Sequence, residues 1–276
     1  MRAFIALLAS AGALTVAGAA NAASVEIRDA VARVTVVPED RADVKVEFLT
    51  ANPKLPLQVR TEDGRTVVDG GLWRRIRNCN NHTDAPSAEV RGIGRVDAQA
   101  MPQVVIHTPR AVSVSSNGAV FGAIGRAASL ELHDSGCSNW TVADVAGDTR
   151  VQESGAGSLR LGSTGRLDLH LSGAASLHVV KVRQGMDAEL SGAGGVRVED
   201  FAGDLDANVS GVGRVRVDGG RAGAVRASVS GVGGVDFGGA AQSLDASISG
   251  FGSIRVKQVN GPVTKSISGA GHVTVG

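Results

Sequence analysis

The chain has 276 residues, with 28 basic and 27 acidic side chains and a formal net charge of +1. This balance argues against nucleic acid or an anionic membrane as the main partner. Glycine is abundant (38 residues), proline is scarce (7) and 43% of the residues are hydrophobic, which excludes disorder and collagen and favours tight turns between short strands.

Residues 1–22 have the pattern of a secretory signal peptide. Arg2 precedes an apolar run over residues 3–19, and residues 20–22 (Ala-Asn-Ala) form a small-x-small cleavage site. No later stretch approaches the ~18 consecutive apolar residues of a transmembrane helix, so we expect a mature chain that does not span a membrane. The chain is therefore expected to be exported by a bacterium, to the periplasm, the outer surface or the medium.

Residues 23–110 are predicted to be a β-rich N-terminal part. Apolar residues alternate with other residues along several short stretches, which is the signal of half-buried strands. These stretches contain Val25 and Ile27, Val34 and Val36, Val44, Val46 and Phe48, and Leu57 and Val59. The pair Asp63-Gly64 favours a hairpin turn before Val67.

The alternation lapses over residues 70–95, which we interpret as a long surface loop. It carries Trp73, Arg74, Arg75 and Arg77, a cluster that could contact an anion or a partner. The alternative interpretation is a solvated loop whose tryptophan packs on the repeat array of residues 111–276.

The sequence contains two cysteines, Cys79 and Cys137. An even pair in an exported chain favours one disulfide. Two unpaired thiols are the alternative, because the distance between the two residues is not determined by the sequence.

A Ser-Gly-x-Gly phrase, with weaker variants, recurs throughout residues 111–276. Its leading serines stand 18 to 20 residues apart, at Ser115, Ser135, Ser154, Ser172, Ser191, Ser210, Ser230, Ser249 and Ser268. Apolar residues recur at fixed offsets before and after each serine, so each unit reads as strand, corner, strand, corner. Such units bury their apolar faces by stacking. We therefore predict an all-β fold, a single-stranded parallel β-helix (β-solenoid) with turns of about 19 residues, capped or continued by the N-terminal part.

Two columns of outward residues carry a pattern of charge, since one column is mostly acidic and the other mostly basic. Four residues before each serine stand Glu131, Arg150, Asp168, Asp187, Asp206, Arg226, Asp245 and Thr264. Six residues after each serine stand Thr141, Arg160, His178, Arg197, Arg216, Asp236, Arg255 and Thr274. We interpret both columns as solvent-facing ladders that keep the rod soluble, with a calcium or anion site along a column as the alternative.

The sequence assigns no catalytic, cofactor-binding or metal-binding residue. A column of serines without a paired base does not make an active site, and the six histidines lack metal-ligand spacing. The alternative function is a carbohydrate-active β-helix enzyme, a lyase or hydrolase, that acts through outward acids such as Asp187 and Asp206.

The signal peptide, the β-rich lead-in with the segment Glu-Asp-Gly-Arg-Thr-Val-Val at residues 62–68, and the tandem Ser-Gly-x-Gly units resemble the head GIN domain family of auto-transporter adhesins. The resemblance covers nearly the whole mature chain. It implies an exported, adhesin-like β-solenoid of bacterial envelopes without catalytic residues. We therefore expect a non-enzymatic binding or structural protein, with an envelope or extracellular protein or glycan as partner. Residues 272–276 have no evident cap, so this edge is also expected to pair with another chain.

Overall fold

The computed structural model describes residues 23–81 and 85–276, so the predicted signal peptide lies outside the described residues. The N-terminal part contains β1 (Ala23–Glu39), β2 (Lys45–Thr50), β3 (Gln58–Glu62), β4 (Arg65–Asp69), β5 (Ile76–Asn80), β6 (Ser87–Val90), β7 (Gly94–Asp97), a 3-10 helix (Ala98–Ala100) and β8 (Gln103–Pro109). Next come β9 (Ala111–Ile124), β10 (Ser129–Asp134), β11 (Cys137–Val142), β12 (Thr149–Glu153), β13 (Ala156–Thr164), β14 (Leu167–Leu171), β15 (Ala174–Val182) and β16 (Met186–Leu190). The last strands are β17 (Ala193–Val209), β18 (Val212–Val229), β19 (Gly234–Ile248), β20 (Ser253–Val259), β21 (Val263–Ile267) and β22 (His272–Val275). No helix in the described ranges is long and apolar enough to cross a membrane.

The strands of successive turns pair in parallel, which confirms the predicted solenoid, with about nine turns in the described chain. We call the wall before each Ser-Gly corner the first face, and the wall after it the second face. The first face contains β10, β12, β14, β16, β21 and the C-terminal halves of β17, β18 and β19. The second face contains β11, β13, β15, β20, β22 and the N-terminal halves of β17, β18 and β19.

The hydrophobic core fills the space between these walls. Leu167, Leu169 and Leu171 are at most 4% exposed, and the residues between them face outward, as the alternation predicts. The rings of Phe201 and Phe237 meet edge to face with centroids 5.9 Å apart. Burying each large apolar side chain contributes roughly 1.5–3 kcal/mol, so the stacked columns supply most of the stabilisation of the rod.

The N-terminal part both continues and caps the coil. β1 is one long strand that pairs in parallel with β9 on one side and with β4 and β8 on the other. Beyond these, β3 pairs antiparallel with β4, and β2 pairs antiparallel with β8. The predicted hairpin is present, since Asp63 and Gly64 have φ angles of 49° and 78°, which suit a tight hairpin turn. The antiparallel strands therefore close this end of the rod.

The prediction of a long surface loop at residues 70–95 was wrong. β5, β6 and β7 form a three-stranded antiparallel sheet, the small sheet, at the position where the chain passes from β4 to β8. Its strands are only four or five residues long, too short for a clear periodic signal. Its inner residues Ala88, Val90 and Val96 join a second core with Ala119 and Phe121 of β9. These partners are distant in sequence, so local pattern does not reveal the packing.

Each Ser-Gly corner bonds to the corner of the preceding turn mainly through its backbone. Ser191 N donates to Leu171 O at 2.9 Å. The serine hydroxyl has a smaller role, since the hydroxyl of Ser210 lies 3.5 Å from Leu190 O, at the long limit of a hydrogen bond. A Cβ on Gly192 would lie 2.0 Å from Gly173 O. Glycine is therefore required there by the close approach of two backbones.

We expect Gly192→Ala to lower the free energy of unfolding by about 1–3 kcal/mol, because the corner must shift to relieve the contact. Gly195→Ala is the matched control, since its Cβ would meet its nearest atom, Arg214 O, at 3.6 Å. We expect the control to change the free energy by no more than about 0.5 kcal/mol. Urea denaturation followed by circular dichroism measures both, and equal effects would contradict the steric explanation.

Candidate functional site

An exposed aromatic and basic cluster lies at the start of the small sheet and is here called the Trp73 turn; it consists of Trp73, Arg74, Arg75 and Arg77. The Trp73 ring is 67% exposed, so it does not pack on the solenoid. Arg74 has a φ of 57°, and its guanidinium carbon lies 4.7 Å from the centre of the Trp73 ring. This distance fits a cation–π contact. The Arg74 guanidinium and the Trp73 ring are therefore already paired on the surface before any partner binds, and the backbone of Arg74 is in the left-handed conformation.

The rest of the turn is held by backbone and side-chain bonds. Arg75 N donates to Leu72 O at 2.8 Å and closes the turn, while Leu72 is 2% exposed. The Arg75 guanidinium donates to the carbonyl of Arg91 at 3.0 Å. Arg77 lies in β5 with its side chain exposed. The structure thus brings all four predicted residues to one exposed edge of the small sheet.

A disulfide joins the small sheet to the solenoid. It connects Cys79 in β5 with Cys137 at the start of β11, whose Cα atoms lie 6.3 Å apart, and thus confirms the predicted pair. Asn139 Nδ2 also donates to Asn81 O at 3.0 Å. A covalent link between residues 58 positions apart restricts the unfolded chain strongly. The Trp73 turn therefore has a rigid support.

The outward acids of the first face line up as predicted. Asp168, Asp187 and Asp206 pair in register on successive turns, and all three are half-buried. Burial, followed by the charges of Asp206 and Asp168, raises the pKa of Asp187. Asp168 accepts a bond of 2.9 Å from Arg150 Nε. In the described residues no group of three or more His, Cys, Asp or Glu is arranged to hold a metal ion.

Two carboxyl groups lie inside the solenoid, where sequence reasoning missed them. Asp134 and Glu153 are 3% and 8% exposed, and they are hydrogen-bonded to each other. Asp134 accepts bonds from the hydroxyls of Ser116 and Ser138. Glu153 accepts a bond of 2.9 Å from Gly155 N. These bonds compensate the cost of burying polar groups, which would be large without partners.

The environment keeps this pair partly protonated. Burial, then the charge of Asp134, raises the pKa of Glu153 to about 9, and burial also raises the pKa of Asp134. Glu153 therefore carries the shared proton at neutral pH and donates it to Asp134. Because both groups are below the surface, we assign the pair a structural role.

The sequence did contain a signal for the acid pair. Asp134 and Glu153 stand one residue before the repeat serines Ser135 and Ser154, at an inward position. The later copies have apolar residues there, such as Leu171. A charged residue that breaks an inward column marks a buried polar pair.

We expect the stability of the protein to fall as the pH rises from about 4.5 to about 9. The folded state binds the Glu153 proton more tightly than the unfolded state, so unfolding releases it throughout this window, at a cost in stability of up to about 1.4 kcal/mol per pH unit. Exposed acids with lowered pKa values, such as Asp200 beside Lys181, affect the stability only at lower pH. Urea titrations at several pH values measure this slope.

Glu153→Gln should remove most of this slope, since the amide can still donate to Asp134 without titrating. Asp168→Asn, on the first face, is the control and should keep it. If Glu153→Gln and the original protein had the same pH dependence, the shared proton would not be the cause.

Comparisons with known proteins give few similarities. No family model and no curated protein match the chain, so the resemblance to the head GIN domain family stays a prediction. One similar solved structure, described as a "putative adhesin" from Bacteroides fragilis NCTC 9343, has 18% sequence identity and a TM-score of 0.42 over 92% of this chain and 93% of that chain. Another, described as a "putative cell adhesion protein" from Clostridium sporogenes ATCC 15579, has 9% identity and a TM-score of 0.28 over 82% of this chain and 92% of that chain.

Proposed function

We propose that the chain is an exported, non-enzymatic binding module of a bacterial envelope that contacts its partner through the Trp73 turn. The observation that carries this proposal is the exposed Trp73 ring, stacked by Arg74 on a support that is fixed by a disulfide. Tryptophan and arginine are the residues that most often dominate binding energy at protein interfaces. A rigid support lowers the entropy lost on binding.

The partner that fits this turn is an envelope or extracellular protein or glycan. The Trp73 ring offers an apolar surface, and the three arginines offer donors for carboxylate, sulfate or phosphate groups. The disulfide favours an oxidising compartment, which supports export after cleavage of a signal peptide at residues 1–22. In this proposal residues 23–110 carry the contact and residues 111–276 form the rod that holds it.

We expect Trp73→Ala to abolish capture of the partner when the purified protein is mixed with extracts of bacterial envelopes. Phe251→Ala is the matched control, because the Phe251 ring is 70% exposed at a Ser-Gly corner far along the rod. Quantitative mass spectrometry of the captured material measures the loss, expected to exceed about tenfold for a binding hot spot. If Phe251→Ala lost capture of the partner and Trp73→Ala did not, the contact would lie on the repeat array instead of the Trp73 turn. Cleavage of a polysaccharide that disappears on replacing Asp187 and Asp206 would instead favour the enzyme alternative.

We also propose self-association through the last turn. Ile267 is 46% exposed and Val275 37%, whereas Ile248 and Val256, their counterparts one turn earlier, are at most 1% exposed. Within the described residues, β21 and β22 each pair with a strand on one side only. Their outer edges and the exposed apolar residues together form a surface that fits a second copy of the same edge.

Light scattering should therefore show a mass that rises with concentration. Val275→Lys should leave a monomer, because a charge on an edge strand opposes pairing. Lys257→Ala, a charge change on the neighbouring β20, is the control and should not alter the mass. A monomer at high concentration in the original protein would contradict the proposal.

A further inference from the structure

A groove of about 390 Å³ runs across four turns of the second face. Its floor contains small residues, Ser158, Ser176 and Gly195, which pair in register through β13, β15 and β17. Basic residues form its sides, namely Arg160, His178, Arg197, Arg214 and Arg216. The groove therefore combines an open floor with a row of cationic donors.

The row repeats along the rod axis. Arg160, His178, Arg197 and Arg216 occupy one column, because each pairs with the next in register. Parallel strands lie ~4.8 Å apart, so these side chains recur at that spacing. Stacked like charges repel one another, and this arrangement needs anions from the protein or from a ligand.

The carboxylates of the protein compensate the row only in part. Asp218 accepts bonds from Arg197 at 2.7 Å and from Arg216 at 2.6 Å. Asp236 likewise accepts bonds from Arg214 at 2.6 Å and from Arg255 at 3.3 Å. His178 Nε2 lies 2.8 Å from Glu199 Oε1. Around Arg197, Arg214, Arg216 and Arg255, however, two carboxylates face four guanidinium groups, which leaves a local excess of positive charge.

The remaining donors point outward. The side chains of Arg197 and Arg216 are each 59% exposed, whereas that of Asp218 is 22% exposed. Both arginines bind Asp218 through Nε, and within the described chain their terminal nitrogens make no hydrogen bond. The guanidinium forks can therefore bind carboxylate or sulfate groups from solvent.

We propose that this groove binds a linear acidic polysaccharide along the rod axis, independently of the Trp73 turn. A polymer with repeated anionic groups matches a row of arginines that repeats with each turn. The hydroxyls of Ser158 and Ser176 can bond to sugar hydroxyls. The lining residues include no Phe, Tyr or Trp, which argues against a nucleic acid that stacks its bases.

The groove begins one turn after the link between the solenoid and the segment that follows β5. In the column that forms the floor, Asn139 donates to the carbonyl of Asn81, which follows β5, and Ser158 lies on the next turn. A bound chain would therefore begin beside the small sheet and extend toward Arg214 and Arg216.

The test measures binding of the full mature chain to polygalacturonate, which carries only carboxylates, and to heparin, which also carries sulfates. Dextran is the neutral control. We expect Arg197→Ala combined with Arg216→Ala to weaken binding of an acidic glycan about tenfold or more, because charged hydrogen bonds are lost. Arg150→Ala combined with Arg226→Ala removes the same charge from the first face and should change binding less than about twofold. The relative affinities for the two glycans distinguish carboxylate from sulfate recognition.

A second variant, Ser176→Glu, places a carboxylate on the floor and should abolish binding while the thermal midpoint stays unchanged. Failure to bind either glycan, or equal losses in the two arginine pairs, would overturn the proposal. If poly-glutamate bound as tightly as the acidic glycans and depended equally on Arg197 and Arg216, the ligand would be an acidic protein and the polysaccharide proposal would be wrong.

Discussion

The backbone contact between successive Ser-Gly corners is the constraint on which the rest of the structure depends. The amide of Ser191 bonds to the preceding turn, and Gly192 approaches the carbonyl of Gly173 so closely that no Cβ fits between them. This contact repeats in every unit and holds the turns in register. Because the turns are in register, each residue of the repeat becomes part of a column that runs along the rod. The columns then decide both the core and the surface.

Departures from the repeat carry the features that distinguish this molecule from a plain rod. Between β4 and β8 the chain leaves the coil and forms the small sheet, which presents the Trp73 turn. On the second face, Ser158, Ser176 and Gly195 form the floor of a groove that is lined by arginines. The regular units supply rigidity, and the irregular ones supply shape and charge at defined positions. This division is common in repeat proteins, whose binding surfaces vary on a constant frame.

The buried pair of Asp134 and Glu153 shows how far the core tolerates a departure. Two carboxylates in a dry interior would be costly, because each loses its hydration. Here one shared proton removes one charge, and the hydroxyls of Ser116 and Ser138 provide donors for the other. A buried acid at this position is therefore tolerated only when neighbouring turns also carry polar partners, here Ser116 and Ser138. That coupling explains why its members occupy adjacent turns.

The alternation around Ser191 and its counterparts is enough to predict the coil, its period and which side chains of the repeat face inward, because it recurs at the same offsets in every unit. The sequence also predicted the cysteine pair and the residues of the Trp73 turn. Three features could be seen only in the tertiary structure. They are the small sheet, the order in space of β1, β4 and β8, and the sharing of Asp218 by Arg197 and Arg216. Their physical reason is the same in each case. Periodicity reports contacts that recur at a fixed spacing, whereas these contacts occur once, between residues whose separation in sequence follows no period.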